Sequence, residues 1–139
     1  MHTTAPRDRR SGCPISIALE MLGDTWSLLI VRDLMFRERQ SFNDFLLGGE
    51  GIASNILADR LRKLADAGVI EKRRDPFDAR RFAYRLSDKG IALAPVLVEL
   101  MIWSAQHEVT DAPPSAVRAM RADRAAFVAG VRKRWRELK

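Results

Sequence analysis

Three glycines between positions 48 and 51 interrupt the centre of this 139-residue chain, so the helical patterns on either side cannot form one helix. Before the interruption, Ser41 is followed three residues later by Asp44. Serine with a carboxylate at this spacing is the capping-box pattern that opens a helix. The sequence therefore predicts a short helix over residues 42–47, followed by a glycine-rich turn.

A second, amphipathic helix is predicted after the turn, over residues 54–67. Leu57, Leu61 and Leu64 recur on one face, and polar side chains occupy the opposite face. Gly68 then stands where a glycine favours the end of a helix. A short capped helix, a turn and an amphipathic helix together form a helix-turn-helix pattern.

Periodicity changes after Gly68, where residues 69–74 and 82–86 have the composition of two short strands. Residues 75–79 between them have the composition of a turn. A β-hairpin directly after the second helix predicts a winged helix-turn-helix. Four arginines lie at or near the predicted tip: Arg73, Arg74, Arg80 and Arg81.

The N-terminal part is predicted to be a flexible arm (1–12) followed by two helices. Pro14 is suited to the first position of a helix, where its missing N–H costs nothing. Thr25 is expected to cap the apolar second helix, which we expect to be buried at the centre of the fold.

Two further helices are predicted after the hairpin. Ser87 is expected to cap a long helix that reaches His107 and is kinked or loosened by Pro95. A linker at 111–114 then leads to one last helix over 116–137, capped by Ser115. The predicted fold class is mainly α with a small β-hairpin. We expect three regions: an arm (1–12), a winged helix-turn-helix domain (13–109), and a C-terminal linker and helical extension (110–139).

Composition narrows the class of protein. No run of about 18 apolar residues is present, which predicts that no helix spans a membrane. The first residues lack the apolar stretch of a secretory signal, so we expect a cytoplasmic protein. One cysteine and two distant histidines, His2 and His107, predict neither a disulfide nor a metal centre. We expect no cofactor and no membrane partner.

Charge is distributed unevenly along the chain, whose formal net charge is +6. Residues 14–59 carry three basic and seven acidic side chains, whereas residues 60–85 carry nine basic and four acidic ones. A basic block on an acidic body is typical of a polyanion-binding face. A solvated basic surface is the alternative.

The outward face of the second helix is the candidate for reading DNA bases, because the start of such a helix enters the major groove. Asparagine suits adenine, arginine suits guanine, and alanine can contact a thymine methyl group. The candidates on this face are Ser54, Asn55, Ala58, Arg62 and Lys63. Asp59 is repelled by phosphates, so it must read a cytosine amino group or pair with Arg62 or Lys63, and we expect pairing. For Arg60, a phosphate contact and an internal ion pair stay open.

The wing arginines are candidates for phosphate or minor-groove contacts. The alternative is that they are solvated and paired with Asp75 and Asp78. Ser41 and Asn43 can bond a phosphate through the start of the short helix, or serve only as helix caps. Arg7, Arg9 and Arg10 of the arm can touch DNA, but we expect a solvated tail.

Cys13 stands at the start of the first helix, where the helix dipole favours a reactive thiolate. It can sense oxidants or electrophiles, bridge two subunits, or be an ordinary thiol. Trp26, Trp103 and Trp135 lie on apolar stripes and are expected in the core or at a dimer interface.

Enzymatic motifs are absent. The chain has no nucleotide-binding glycine loop, no nucleophile elbow and no zinc-helix motif, and its glycine-rich stretch follows a helix instead of a strand. We therefore expect a protein that is not an enzyme.

The assembled residues resemble bacterial HxlR-type winged-helix transcription regulators, a family related to MarR-type regulators. The resemblance covers residues 13–107 and rests on the order and spacing of short fragments. These are Cys13-Pro14, Leu22-Gly23-Asp24-x-Trp26, Leu28-Leu29-Ile30-x-Arg32-Asp33, Ser41-Phe42-Asn43-Asp44-Phe45, Gly51-Ile52-Ala53-x-Asn55-x-Leu57, Arg60-Leu61-x-x-Leu64-x-x-Ala67-Gly68-Val69-Ile70, Tyr84-Arg85-Leu86-Ser87-x-x-Gly90, and Leu93-x-Pro95-Val96-Leu97 followed by Trp103.

The resemblance implies a homodimer built by the N-terminal helix and the long C-terminal helix. The candidate interface residues are Leu19, Leu97, Leu100, Met101 and Trp103. Some members of the family sense electrophiles or oxidants through an N-terminal cysteine, which implies the same role for Cys13. The chain departs from the family in two places. Ser41 stands where an arginine often precedes the phenylalanine of the short helix, and the wing tip lacks its usual prolines.

We therefore expect a dimeric, sequence-specific DNA-binding regulator, and a repressor of a pseudo-palindromic site on double-stranded DNA. A small molecule or an oxidant acting through Cys13 is the expected class of effector. The alternative is a winged-helix protein-interaction module without sequence-specific DNA binding.

Overall fold

The structure, a computed structural model, describes residues 9–75 and 77–138. Within them it contains helices and one two-stranded antiparallel sheet. In chain order these are α1 (Pro14–Leu22), α2 (Ser27–Phe36), α3 (Phe42–Leu46), α4 (Ser54–Asp66), β1 (Ile70–Arg74), β2 (Phe82–Leu86), α5 (Asp88–Ile91), α6 (Ala94–His107), α7 (Pro114–Ala122) and α8 (Arg124–Glu137).

The first two helices form where the sequence predicts them, but the cap of α2 is different. Pro14 opens α1, as predicted, and Gly23 follows its last residue. Asp24, not Thr25, holds the start of α2, because its Oδ1 accepts the N–H groups of Trp26 at 2.8 Å and Ser27 at 2.9 Å. Asp24 thus bonds free N–H groups at the helix start, and the prediction for Thr25 is wrong.

The helix-turn-helix forms as predicted. Ser41 Oγ accepts the N–H of Asp44 at 3.1 Å, and the Asp44 carboxylate accepts the N–H of Ser41 at 3.1 Å, which completes the capping box. Gly49 and Gly51 adopt φ angles of 90° and 76° in the turn. L side chains rarely adopt this backbone conformation, so these two glycines permit the turn that ends α3 before α4 begins.

The hairpin also forms as predicted, with Ile70 paired to Leu86 and Arg74 paired to Phe82. A bridge between Ser41 and Ala83 attaches β2 to the residue that caps α3. Tyr84 supports this attachment by donating its N–H to the carbonyl of Gln40 at 2.8 Å. The wing is therefore tied to the first helix of the helix-turn-helix as well as to the end of α4.

The core lies between α2, the inner face of α4, the base of the hairpin and α6. Leu57, Leu61 and Leu64 of α4 are almost completely buried, as their spacing predicts. Burial of such a side chain stabilises a fold by about 1.5–3 kcal/mol. Because α4 is fixed along this leucine face, its polar face is held outward in one orientation.

The long helix predicted after Ser87 consists of two helices. Ser87 caps the first as predicted, accepting the N–H of Gly90 at 3.1 Å. The chain then breaks between α5 and α6, and Pro95 lies in the first turn of α6. Proline is tolerated there because the N–H it lacks has no partner within the helix. Of the two predicted effects of Pro95, loosening of the first turns is present as the break between α5 and α6, and a kink inside a continuous helix is not.

The C-terminal extension also contains two helices instead of one. Pro114 opens α7, and Asp123 both ends α7 and caps α8 by accepting the N–H of Ala126 at 3.0 Å. Ser115 is not a cap. The apolar positions Met120 and Phe127 continue one stripe across the break, which is why the sequence pattern suggests a single helix.

Two segments reach the length and apolarity of a membrane span. Asp88–His107 does so over 20 residues with a mean hydropathy of 1.2, and α1 with α2 does so as a pair bent by 80°. The expectation that composition alone excludes such a helix is therefore wrong. In the folded chain Leu97, Val98 and Ile102 are buried against the rest of the protein. One third of the 18-residue window within Asp88–His107 is buried, and the segment meets the criteria by length and composition only.

Candidate nucleic-acid interface

The first turn of α3, the outer face of α4 and the wing line one open groove of about 520 Å³. Six of the side chains proposed from the sequence meet there: Ser41, Asn43, Ala58, Arg62, Arg80 and Arg81. We call this surface the α3–α4–wing groove. Its rim is cationic, whereas Leu61 and Tyr84 contribute apolar surface to it.

The start of α4 is exposed beside this groove. Ser54, Asn55 and Ala58 are all exposed. Ala53 precedes the helix and offers no side-chain cap, so the first N–H groups of α4 have no capping side chain. Such groups are suited to bind a phosphate oxygen at the N-terminus of a helix. The start of α4 therefore presents polar side chains and backbone donors together.

Asp59 lies on the same helix and binds its neighbouring cations, as predicted. Its carboxylate is 2.6 Å from Arg62 Nη2 and 3.2 Å from Lys63 Nζ, and it also contacts Arg60. The hydrogen bond with Lys63, followed by the charges of Lys63, Arg62 and Arg60, lowers the pKa of Asp59 below its usual value. Two of the proposed DNA-contacting cations are therefore paired in the free protein.

Of the two alternatives for Arg60, a phosphate contact or an internal ion pair, the structure shows the ion pair. Its Nε lies 3.1 Å from Asp24 Oδ1, so Arg60 forms an internal ion pair between α4 and the start of α2. Burial alone would raise the pKa of Asp24, but hydrogen bonds from Ser27 and Trp26 and the charge of Arg60 lower it overall. The pair fixes α4 against α2.

The wing arginines are exposed, and they differ in their partners. Arg80 Nε is 3.2 Å and Arg81 Nε is 3.6 Å from the carboxylate of Asp78. The hydrogen bonds from Arg80 lower the pKa of Asp78. Arg74 donates to the carbonyl of Ala79 at 2.6 Å and so closes the hairpin. Arg73 is exposed on β1. Asp75 pairs with none of these arginines in the residues described, and accepts the N–H of Phe77 instead.

Lys72 and Phe82 also line the groove, although sequence reasoning did not select them. Lys72 Nζ lies 4.1 Å from the centre of the Phe82 ring, which is a cation–π contact. Both residues project from the same face of the sheet as Tyr84, in the register of the hairpin. Side chains alternate between the two faces of a strand, so Lys72 can be assigned to the groove as soon as the face of the sheet that borders the groove is known.

Arg39 is directed away from the groove. Its Nη1 lies 4.0 Å from Asp33 Oδ2, and Arg32 and Arg37 approach the same carboxylate at 3.0 Å and 3.5 Å. Asp33 is 4% exposed, so three partly exposed arginines surround one buried carboxylate. Arg32 also binds Glu50 at 2.8 Å, which anchors the turn before α4.

The residues proposed for a dimer interface divide into two groups. Leu19, Leu100 and Trp103 are exposed, with Trp103 at 61% exposure. Leu97 is buried in the core of its own chain and Met101 is half-buried against that core. Val96 joins the exposed group on α6. The apolar surface that a second chain could contact is therefore smaller than the predicted interface, because Leu97 and Met101 pack within their own chain.

Cys13 is an exposed free thiol at the residue that precedes α1. Arg10 lines the same shallow depression as Cys13. Arg9 is among the described residues, whereas Arg7 and His2 lie outside them. No cluster of three or more histidine, cysteine or acidic side chains in residues 9–75 and 77–138 is arranged to hold a metal ion.

Comparison with known proteins connects this geometry to a family. Residues 21–111 match the HxlR-like helix-turn-helix family. The HTH-type transcriptional regulator Rv3095 of Mycobacterium tuberculosis is 33% identical over 111 residues, which cover 79% of this chain and 69% of Rv3095. The transcriptional regulator YodB of Bacillus subtilis is 30% identical over 95 residues, which cover 68% of this chain and 84% of YodB.

Solved structures agree with the sequence matches. The crystal structure of PA1607 superposes with a TM-score of 0.67 at 38% identity, covering 75% of this chain and 71% of PA1607. The reduced form of YodB superposes with a TM-score of 0.58 at 30% identity, covering 68% of this chain and 93% of that structure. The chain therefore belongs to the HxlR-like helix-turn-helix family of transcriptional regulators, which are not enzymes.

Proposed function

We propose that this chain is a cytoplasmic, homodimeric repressor that recognises a pseudo-palindromic site on double-stranded DNA by its sequence. The observation that carries the proposal is the α3–α4–wing groove, in which side chains from three separate sequence segments meet on one cationic surface. A winged helix uses this surface to bind a duplex, with one helix in the major groove and the wing beside it.

The groove and the surface beside it have separate proposed roles. Ser54 and Asn55 at the exposed start of α4 and Ala58 in the groove contact base edges. Arg62 follows within the groove, whereas Lys63 lies outside it, beside Asp24 and Arg60. Arg73, Arg74, Arg80 and Arg81 contact phosphates or the minor groove from the wing. Ser41 is already used as a helix cap, so Asn43 is the better phosphate contact at α3.

Two copies of the chain complete the regulator in this proposal. The exposed apolar side chains of α6 and of α1 supply the contact, with Leu100 and Trp103 at its centre. Two α4 helices then reach major grooves about 34 Å apart. Binding at a promoter excludes the polymerase, and an effector acts by changing the spacing of the two α4 helices.

Fluorescence anisotropy of the purified protein tests sequence recognition. The protein is titrated at about 150 mM salt onto its own labelled upstream DNA and onto a shuffled duplex of the same composition. We expect a preference of about 10³-fold or more for the genuine site. Asn55→Ala with Arg62→Ala should reduce the preference, whereas Arg118→Gln, an exposed arginine on α7, should leave it unchanged.

Equal, salt-sensitive binding to both duplexes would favour the other candidate, a winged-helix module that binds a protein. A wider selection from random duplexes then separates that module from a regulator whose site lies elsewhere. Failure to enrich any sequence would contradict the proposed function.

We also propose that Cys13 gives the regulator a response to oxidants or electrophiles. Support comes from its exposure beside α1 and from YodB, whose structures include reduced, diamide-treated and quinone-bound forms. Treatment with diamide or a quinone should weaken DNA binding by the wild type, and Cys13→Ser should bind DNA but ignore both reagents. Equal sensitivity of wild type and Cys13→Ser would contradict this role.

A further inference from the structure

The C-terminal extension packs into the same hydrophobic core as the helix-turn-helix, although the family match ends at residue 111. Val131 of α8 is 2% exposed and belongs to the core that contains the inner face of α4. Phe127 and Val128 pack against this core and also against the smaller cluster around Val98. Helix α8 therefore joins α6 to the centre of the DNA-binding domain.

The last turn of α8 also contacts the wing. The indole Nε1 of Trp135 donates a hydrogen bond to the carbonyl of Leu86 at 2.9 Å. The guanidinium of Arg85 lies 4.7 Å from the centre of the Trp135 ring, which is a cation–π contact. Leu86 and Arg85 are the last two residues of β2, so one tryptophan holds the base of the wing through two different groups.

The wing depends on anchors outside its own two strands. A two-stranded hairpin is marginally stable alone and depends on what it packs against. Beyond its own ladder, this hairpin has the bridge to Ser41, the hydrogen bond from the Tyr84 N–H to the Gln40 carbonyl and the buried side chains of β2, and Trp135 adds the contacts at its base. Residues 82–84 of β2 join the Trp135 contact to the turn that bears Arg80 and Arg81. A rotation at the base would therefore displace the arginines at the tip.

We propose that Trp135 is a positioning residue for the wing: by holding Leu86 and Arg85, it fixes the orientation in which Arg80 and Arg81 meet DNA. The proposal rests on the proposed DNA-binding function. It assigns a role to a segment outside the family match, and it links the wing through α8 to α6, the helix proposed for dimerisation.

Three variants separate positioning from simple core filling. Trp135→Phe keeps an aromatic ring beside Arg85 but removes the N–H that Leu86 accepts. Trp135→Leu removes both contacts and keeps an apolar side chain. Met120→Ala is the matched control, because Met120 of α7 is buried against Val98 and Ile102 of α6, in the smaller cluster and not at the wing.

The first measurement needs no DNA. Amide hydrogen exchange is measured in the hairpin of the wild type and of each variant. Each protein is studied at the same number of degrees below its own Tm, so that differences in global stability do not affect the comparison. We expect faster exchange across β1 and β2 in Trp135→Leu, a smaller increase in Trp135→Phe, and no hairpin-specific change in Met120→Ala. Unchanged protection of the hairpin in both tryptophan variants would overturn the positioning role, whether or not the protein binds DNA.

The second measurement is a double-mutant cycle on a duplex that the wild type binds. Trp135→Leu should weaken binding about 10-fold, a loss that corresponds to about 1.4 kcal/mol. In a protein that already carries Arg80→Gln and Arg81→Gln, the same change should cost less than about 2-fold, because the wing contacts are gone. An equal loss in both backgrounds would overturn the proposal. If the wild type binds no duplex, the proposed function fails, and the exchange result still decides whether Trp135 holds the wing.

Discussion

At the scale of single residues, ion pairs within the chain determine which basic side chains are available to bind a ligand. Arg60 begins the basic segment of the sequence, yet its guanidinium is directed to the carboxylate of Asp24, just before α2. The pattern of charges along the chain cannot reveal this pair, because Asp24 is distant in the sequence and is brought close only by tertiary packing. Arg39 is likewise directed to Asp33, a carboxylate near the end of α2. The pairing of Asp59 was predictable because its partners Arg62 and Lys63 stand three and four residues away on one helix.

Asp24 predicts a defined dependence of stability on pH. Its pKa is lowered in the folded protein, so its ionised form contributes stability at pH values above about 3.8, the ordinary pKa of the group. That contribution is lost as the pH falls through the lower pKa of the folded state. Asp24→Asn should therefore be less stable than the wild type at neutral pH, and the difference should shrink below about pH 4.

Urea denaturation at a series of pH values measures this difference. Asp111→Asn, which changes an exposed carboxylate of the linker, serves as the control and should follow the wild type throughout. A stability difference for Asp24→Asn that does not change with pH would contradict the ionic role of Asp24.

At the scale of elements, local signals predict most of the central fold. The capping box, the glycines of the turn and the leucine face predict α3 and α4, and the change of period predicts β1 and β2. The errors lie where a helix stops inside a continuing apolar stripe, between α5 and α6 and at Asp123. Both stops have a local signal, Pro95 at the start of α6 and the Asp123 side chain that caps α8, but the apolar stripe that continues across each of them conceals it.

The two glycines in helices of the C-terminal half predict opposite effects of one substitution. A Cβ at Gly90 of α5 would overlap the carbonyl oxygen of Val69 and lie 3.0 Å from Leu86, whereas a Cβ at Gly130 of α8 would meet nothing within 4 Å. Gly90→Ala should lower the free energy of unfolding by about 2 kcal/mol through this overlap. Gly130→Ala should raise it by up to about 1 kcal/mol, because alanine favours a helix.

Denaturant titration of both variants and of the wild type measures these changes in the free energy of unfolding. Gly130→Ala is the control, because it makes the same glycine-to-alanine change where the added Cβ meets no other atom. A neutral Gly90→Ala would mean that α5 does not pack against the base of the wing as closely as described.

At the scale of the whole molecule, the C-terminal extension covers one side of α6 and leaves the other side exposed. Helices α7 and α8 cover one side of α6, and Val96, Leu100 and Trp103 remain exposed on it. Both sides of α6 are apolar, so the sequence pattern does not distinguish the covered side from the exposed one. The predicted dimer interface therefore includes core residues such as Leu97 together with residues that are exposed to a partner.

Assembly of the molecule is predicted to depend on that exposed face. Analytical ultracentrifugation should show the wild type at twice the chain mass. Leu100→Glu with Trp103→Glu should show a single chain mass, because two carboxylates per subunit would be buried without partners in the interface. DNA affinity should fall together with dimerisation, since one half-site then binds alone.

Leu47→Glu is the matched control for that variant. Leu47 directly follows α3, is 81% exposed and lies outside the proposed dimer surface, so a glutamate there should leave the sedimentation unchanged. A wild type that sediments as a single chain, or a double variant that remains a dimer, would contradict this assignment of α6.

In the proposed function, the carboxylates of Asp59 and Asp78 compete with DNA phosphates for the cations of the DNA-binding surface. Between them they bind Arg62, Lys63, Arg80 and Arg81, so a phosphate must displace a carboxylate before it gains one of these cations. On a random duplex, this exchange reduces the net gain from each phosphate contact. A base edge that fits the start of α4 involves no such exchange. If the chain acts as the proposed sequence-specific regulator, this exchange should shorten its stay on non-specific DNA and so speed its search for the specific site.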